Sequence, residues 1–163
     1  MGSGEELLAL FLSTFTNKVD RKGRVSVPAP FRAVLSGAGF SAVVVFRSFR
    51  LPAIEAVDPA RMEQLSASAD RLEQFSEMHD DLVASIFADA IQLPFDGEGR
   101  IMLPRPFAAH AGITDQAAFV GRGRSFQIWE PAACRRHQDQ SRARAREQGA
   151  TLPLRTPPEG TER

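Results

Sequence analysis

Two arginines in this chain stand four residues after an aspartate, and each Asp-x-x-x-Arg unit runs on into Pro-x-Pro-Phe. The first unit is Asp20-Arg21-Lys22-Gly23-Arg24, preceded by Lys18; the second is Asp96-Gly97-Glu98-Gly99-Arg100. Cations clustered around a tight turn are suited to nucleic acid. A two-stranded ribbon fits the major groove of B-DNA, where arginine pairs bidentately with guanine and lysine reaches phosphate. The first unit is equipped for this with Lys18, Arg21, Lys22 and Arg24. In the second, Gly97 and Glu98 stand where the first has Arg21 and Lys22, and Arg100 is the remaining cation. The candidate DNA contacts are therefore Lys18, Arg21, Lys22, Arg24 and Arg100, with Asp20, Gly23, Asp96 and Gly99 setting the turns. A purely structural reading competes: each Asp–Arg pair is also suited to a cross-hairpin salt bridge that fixes its turn. Arg21 and Lys22 have only Asp20 as a local acid, which favours a ligand over a bridge, with an idle surface charge as the rival.

The elements that must position these residues come from a repeat. The segment from Val19 to Phe31 returns 76 residues later as Phe95 to Phe107, with Asp, Gly, Arg, both prolines and Phe at identical spacing. Two copies are too few for a solenoid and suit a domain in which each half completes the other. Alternation from Ser13 to Val19 predicts a half-buried strand, with Phe15 and Val19 on one face. Asp20 and Gly23 occupy the preferred ends of a type I turn. Arg24 to Val27 is the expected return strand, ended by Pro28, and Pro30 suits the first turn of a helix over Phe31 to Ser36. Strands are expected at Val43–Phe46 and Leu51–Ile54. The second copy repeats this order: Ile91–Phe95, a turn, Arg100–Leu103, a helix near Phe107–Ala111, then Ala117–Val120 and Ser125–Trp129. The later strands align at an offset of 75, as though one residue were missing from a loop.

Between the copies, Met62, Leu65, Leu72, Phe75, Met78, Leu82, Ile86 and Phe87 recur at helical spacing after the start signal Asp58-Pro59. One broken helix or two stacked ones are expected there. The organisation predicted is a flexible leader at 1–12, a first half at 14–57, a helical spacer at 58–88, a second half at 89–131, a basic helix at 132–150 and a disordered, Pro-rich tail at 151–163.

The formal net charge of zero conceals an uneven distribution. Residues 58–90 carry two basic and eight acidic side chains, whereas residues 1–57 carry seven basic and four acidic ones. Basic surface is therefore local, and the overall charge decides nothing about a nucleic-acid partner. The single Cys134 leaves no disulfide framework and fits a reducing cytoplasm. Glu5 and Glu6 precede the short apolar run at Leu7–Leu12, where a signal peptide needs positive charge, and no run reaches membrane-spanning length. His79, His110 and His137 lack metal-ligand spacing, and Asp80-Asp81 lacks the alternating oxygens of a calcium loop. Neither a phosphate-binding glycine loop nor a G-x-S-x-G elbow is present. The reading is of a protein that is not an enzyme and uses no metal, cofactor or small-molecule substrate.

The D-x-x-x-R-x-x-x-P unit, occurring twice around an acidic helical spacer, resembles the MraZ family of bacterial transcriptional regulators. The stretch from Phe11 to Asp20 continuing into Lys22-Gly23-Arg24, the second unit, and Phe126-Gln127-Ile128-Trp129-Glu130 carry the likeness, over about residues 11–150. The resemblance implies an α+β, β-rich fold: a pseudo-two-fold, duplicated swapped-hairpin β-barrel related to AbrB and MazE, with short helices. It further implies a ring-shaped homo-oligomer in the cytoplasm, at the nucleoid. The implied partner is double-stranded DNA carrying tandem promoter repeats upstream of the cell-division and cell-wall gene cluster, the protein's own gene included. Its DNA-facing motif falls on Asp20 to Arg24, with an echo at Asp96 to Arg100. Arg21 departs from the small residue common in the family, and the leader before Phe11 is long. A protein-interaction module of antitoxin type, binding through the acidic helices or tail, is the alternative from another class.

Overall fold

A computed structural model describes residues 9–154. It is strand-rich α+β and divides after Pro131 into two compact units.

In the first unit, six strands form one antiparallel sheet in the order β1-β7-β8-β4-β3-β5. These are β1 (Thr14–Lys18), β3 (Ala42–Arg47), β4 (Ile54–Val57), β5 (Ile91–Pro94), β7 (Gln116–Gly121) and β8 (Phe126–Trp129). The remaining two, β2 (Arg24–Ser26) and β6 (Arg100–Met102), pair with each other. Helix α1 (Ala29–Gly37) follows β2 and α4 (Arg105–Ala111) follows β6, each with proline in its first turn, where no donor is lost. Phe31 and Phe107 are the buried anchors of these helices. Phe11, Phe15, Phe31 and Phe126 build an aromatic cluster, with centroid separations of 5.3 Å for Phe11–Phe31 and 4.9 Å for Phe31–Phe126. Val25, Val43, Val45, Ile54, Ile101 and Ile128 complete the core around it.

The spacer forms α2 (Pro59–Ala69) and α3 (Glu77–Leu82), the latter continuing into a π-helical turn over Val83–Phe87. Asp58 caps α2 by accepting from the Arg61 amide at 2.7 Å, and Ser76 caps α3 through the His79 amide at 3.1 Å. Leu72 lies between the helices, and Phe75 has a left-handed backbone with φ 67°, which breaks the helical run that the apolar spacing suggests. Helix α5 (Pro131–Gln148), all but its first residue in the second unit, carries Arg135, Arg136, Arg142, Arg144 and Arg146. No helix among the described residues is long and apolar enough to cross a membrane.

The strand registers correct three expectations. β2 does not return along β1: a single bridge, Val19↔Val25, joins them, and the chain then splays. The ladder partner of β2 is β6, with Arg24 opposite Met102, Val25 opposite Ile101 and Ser26 opposite Arg100. Backbone bonds from Val27 N–H to the Gly99 carbonyl and from Leu103 N–H to the Gly23 carbonyl extend that pairing. Shifting both partners by 76 residues and exchanging them maps the pairs onto themselves about Val25↔Ile101.

The later strands do not align at 75. The β1–β7 pair Asn17↔Ala117 and the β5–β3 pair Leu93↔Val43 correspond when β3 and β7 are offset by 74. The β4–β8 register maps onto itself about Glu55↔Gln127 at an offset of 72. Each step changes by two residues, so the core positions Val43 and Val45 correspond to Ala117 and Phe119, all buried. An offset of 75 would set inward residues of one copy against outward residues of the other, because side chains alternate along a strand. The β4 strand also starts later than expected. Ser48 Oγ accepts from the Arg50 and Leu51 amides at 3.2 and 3.1 Å, which holds that stretch as a loop.

The third correction concerns the leader. Phe11 is buried, and its backbone pairs in both directions with Gly123 at 2.8 and 3.0 Å. Residues 1–8 of the expected leader and 155–163 of the expected tail lie outside the described residues; Thr151 to Leu154 are exposed and without regular structure.

Candidate nucleic-acid interface

Both Asp-x-x-x-Arg units fold into the same turn. Asp20 begins the first, its carbonyl accepting from Gly23 N–H at 3.0 Å while its own N–H donates to the Arg24 carbonyl at 2.9 Å. Gly23 takes φ 87°, the left-handed conformation that closes a three-residue turn with a bulge. One carboxylate oxygen of Asp20 accepts from the amides of Lys22 and Arg24, each at 2.9 Å, and the other accepts from Arg24 Nε at 2.7 Å. The second turn repeats this. Asp96 accepts from the Glu98 and Arg100 amides at 2.8 and 3.0 Å and from Arg100 Nε at 2.7 Å, with Gly99 at φ 75°. The Arg24 amide leads in holding the Asp20 carboxyl below its ordinary range; burial opposes it, and the Arg24 side chain and the Lys22 amide add to the lowering. The Arg100 amide leads the same effect at Asp96.

The Asp–Arg bridges of the structural reading are thus present in both copies. They differ in what else the arginine touches. Arg100 Nη2 also meets the Glu98 carboxylate at 3.3 Å, and the hydrogen bond to the Asp96 side chain leads in raising the Arg100 pKa above its ordinary value. Arg24 has no second acidic partner among the described residues.

The β2–β6 ladder brings the two arginines together. Val25 and Ile101 point into the core, so Arg24, Ser26, Arg100 and Met102 stand on the opposite face of the ribbon. Arg24, Asp96, Arg100 and Met102 line one groove of about 350 Å³. The ribbon is therefore made by both copies, rather than by one hairpin as the local sequence suggests. Lys18 is exposed at the end of β1, opposite Gln116, and Arg21 and Lys22 are exposed at the first turn's tip. A cleft of about 170 Å³ beside that tip is lined by Arg21, Lys22 and Gly23 and, from the other copy, by Arg105. Arg105 escapes a reading centred on the turns; the signal for it is a charge at the position where the first copy has Ala29.

Comparison with known proteins gives this arrangement its context. A family described as "MraZ protein, putative antitoxin-like" matches residues 86–156. Transcriptional regulator MraZ of Gluconacetobacter diazotrophicus is 46% identical over 143 residues, covering 86% of this chain and 90% of that protein. The chain belongs to the MraZ family. Other MraZ relatives are equally extensive. The transcriptional regulator MraZ of Pelagibacter ubique is 46% identical over 88% of this chain and 92% of its own, and that of Rickettsia akari 43% over 88% and 96%.

Proposed function

We propose that this chain is a sequence-specific DNA-binding transcriptional regulator and not an enzyme. It acts in the cytoplasm at the nucleoid, as a repressor of the cell-division and cell-wall gene cluster that includes its own gene. The observation that carries the reading is the ribbon on which Arg24 and Arg100 share one outward face. Asp20 engages Arg24 through Nε, which orients the guanidinium and leaves its terminal nitrogens for O6 and N7 of a guanine. In this reading the Asp–Arg bridge positions the reader instead of replacing it. Lys18, Arg21 and Lys22 supply phosphate contacts that fix register. Arg100, with Glu98 on its terminal nitrogen, contributes less.

The self-mapping registers support a duplicated swapped-hairpin barrel of the AbrB and MazE kind, formed here within one chain. A ring-shaped homo-oligomer presents many such ribbons to tandem promoter repeats, so modest single contacts sum through effective concentration.

The test is fluorescence anisotropy on a duplex carrying the repeats upstream of the protein's own gene, beside a scrambled duplex. Selective binding that Arg24→Ala abolishes, with oligomeric state unchanged, supports the reading. Equal, weak binding to both duplexes defeats it. One observation favours the antitoxin-like alternative, a protein-binding module. Phe75 is 90% exposed and Met78 63%, amid the exposed acids Glu73, Glu77, Asp80 and Asp81. A basic protein partner captured there by a duplex-blind protein would give that alternative precedence.

A further inference from the structure

The cleft beside the first turn differs from its counterpart beside the second. Arg21 and Lys22 reach it from the turn, and Arg105 reaches it from the start of α4, in the other copy. Asp20 is the acid that lines the cleft, and its carboxylate is engaged by two amides and Arg24 Nε. None of the three cations forms an ion pair with an acid among the described residues, and all three are exposed. Like charges held together in this way repel each other unless an anion sits among them.

The counterpart cleft, of about 470 Å³, is lined by Gly97 from the second turn and by Ala29 at the start of α1. Its one cation, Arg32, is already engaged: Nε donates to the Val27 carbonyl at 3.0 Å and the guanidinium lies against Gly99. The fold therefore places a cleft at the corresponding position in each copy, and the sequence has gathered unpaired positive charge in the smaller one.

We infer that Arg105 is a phosphate-binding residue, forming with Arg21 and Lys22 a clasp for one backbone phosphate of duplex DNA. The inference rests on the DNA-binding reading above and adds a contact from the second copy to those of the first copy's turn. Such a contact positions the ribbon and carries no base information. It also binds more weakly as salt rises, because the counterions released on binding are taken up again on dissociation.

The test is the anisotropy titration repeated over a series of salt concentrations with full-length protein, Arg105→Ala and Arg105→Lys. Arg105→Ala is expected to weaken binding equally on the repeat and scrambled duplexes. It should make the slope of log affinity against log salt shallower by about 0.9, the value for one phosphate contact. Arg105→Lys should restore most of the slope. An unchanged slope for an Arg105→Ala protein that still binds would overturn the clasp and leave the regulator reading standing. Loss confined to the repeat duplex would also overturn it, since that is the behaviour of a base contact. Absence of any salt-sensitive duplex binding by the unaltered protein would overturn both.

Discussion

The Arg32 side chain occupies the space that a Cβ on Gly99 would need, its Nε only 2.6 Å from that position. Arg32 belongs to α1 in the first copy and Gly99 to the turn of the second, so one copy's helix braces the other copy's motif. Gly99 also has φ 75°, where a side chain is strained whatever the space around it. Gly99→Ala is expected to lower stability by about 1–3 kcal/mol. Adding Arg32→Ala should relieve the steric share, so that the double variant loses less than the two single losses combined. Urea unfolding midpoints of the four proteins measure the coupling.

Acid should loosen both turns. Asp20 and Asp96 have carboxyl groups held below their ordinary range, chiefly by the Arg24 and Arg100 amides. A group lowered by folding stabilises the fold fully above its unfolded value, about 3.9 for aspartate, and loses that contribution as pH falls through the folded value. Stability should therefore be flat near neutrality and decline below about pH 4. The Asp20→Asn, Asp96→Asn double variant should show a shallower decline in a series of thermal melts across that window.

Asp89 ties the end of the spacer to β3. It accepts from the Arg47 amide at 2.8 Å and pairs with the Arg47 guanidinium, which also lies over the Phe107 ring at 5.3 Å. Asp89→Ala loses both the amide and the side-chain bond, whereas Arg47→Ala keeps the amide bond. A loss of about 1 kcal/mol or more is expected for Asp89→Ala, from a part-buried amide left without its acceptor and a guanidinium left without its acid. Chemical denaturation should rank the first variant below the second, because an exposed cation–π contact is worth only about 0.5–1 kcal/mol.

Phe31 touches three other rings, with Phe15 edge-on at 5.5 Å and Phe126 tilted at 4.9 Å. Truncation should leave a cavity at the centre of the aromatic core. Phe31→Ala is expected to cost about 3–5 kcal/mol, and Phe31→Leu much less, in calorimetric unfolding.

The turns were legible in the sequence because their determinants are local: Asp20 and Gly23 lie three residues apart, and one carboxylate satisfies the amides between and beyond them. The helix starts at Asp58 and Ser76 are local in the same sense, although only the first stands out before a proline. The partner of β2 was not legible. Val25 prefers Ile101 to a longer ladder with β1, and that choice depends on burying both side chains in a core assembled from distant segments. The same is true of the loop offsets, which only the inward or outward sense of Val43 and Ala117 resolves. Arg105 was hidden for a related reason. Its neighbours in the cleft, Arg21 and Lys22, are remote in the chain and become adjacent only when the copies interlock.

That interlocking has a kinetic side. The turns at Asp20 and Asp96 close over a few residues, but Val25 must find Ile101 across the rest of the first half, the whole spacer and the start of the second half. Closing so long a loop is entropically expensive, and chains dominated by such pairings fold slowly. The surface bearing Arg24 and Arg100 is therefore expected to form late, once the two halves have met. On the DNA-binding reading proposed above, a nascent or partly folded chain carries the basic turn without the ribbon, and so would have charge for DNA before it has the means to choose among sequences.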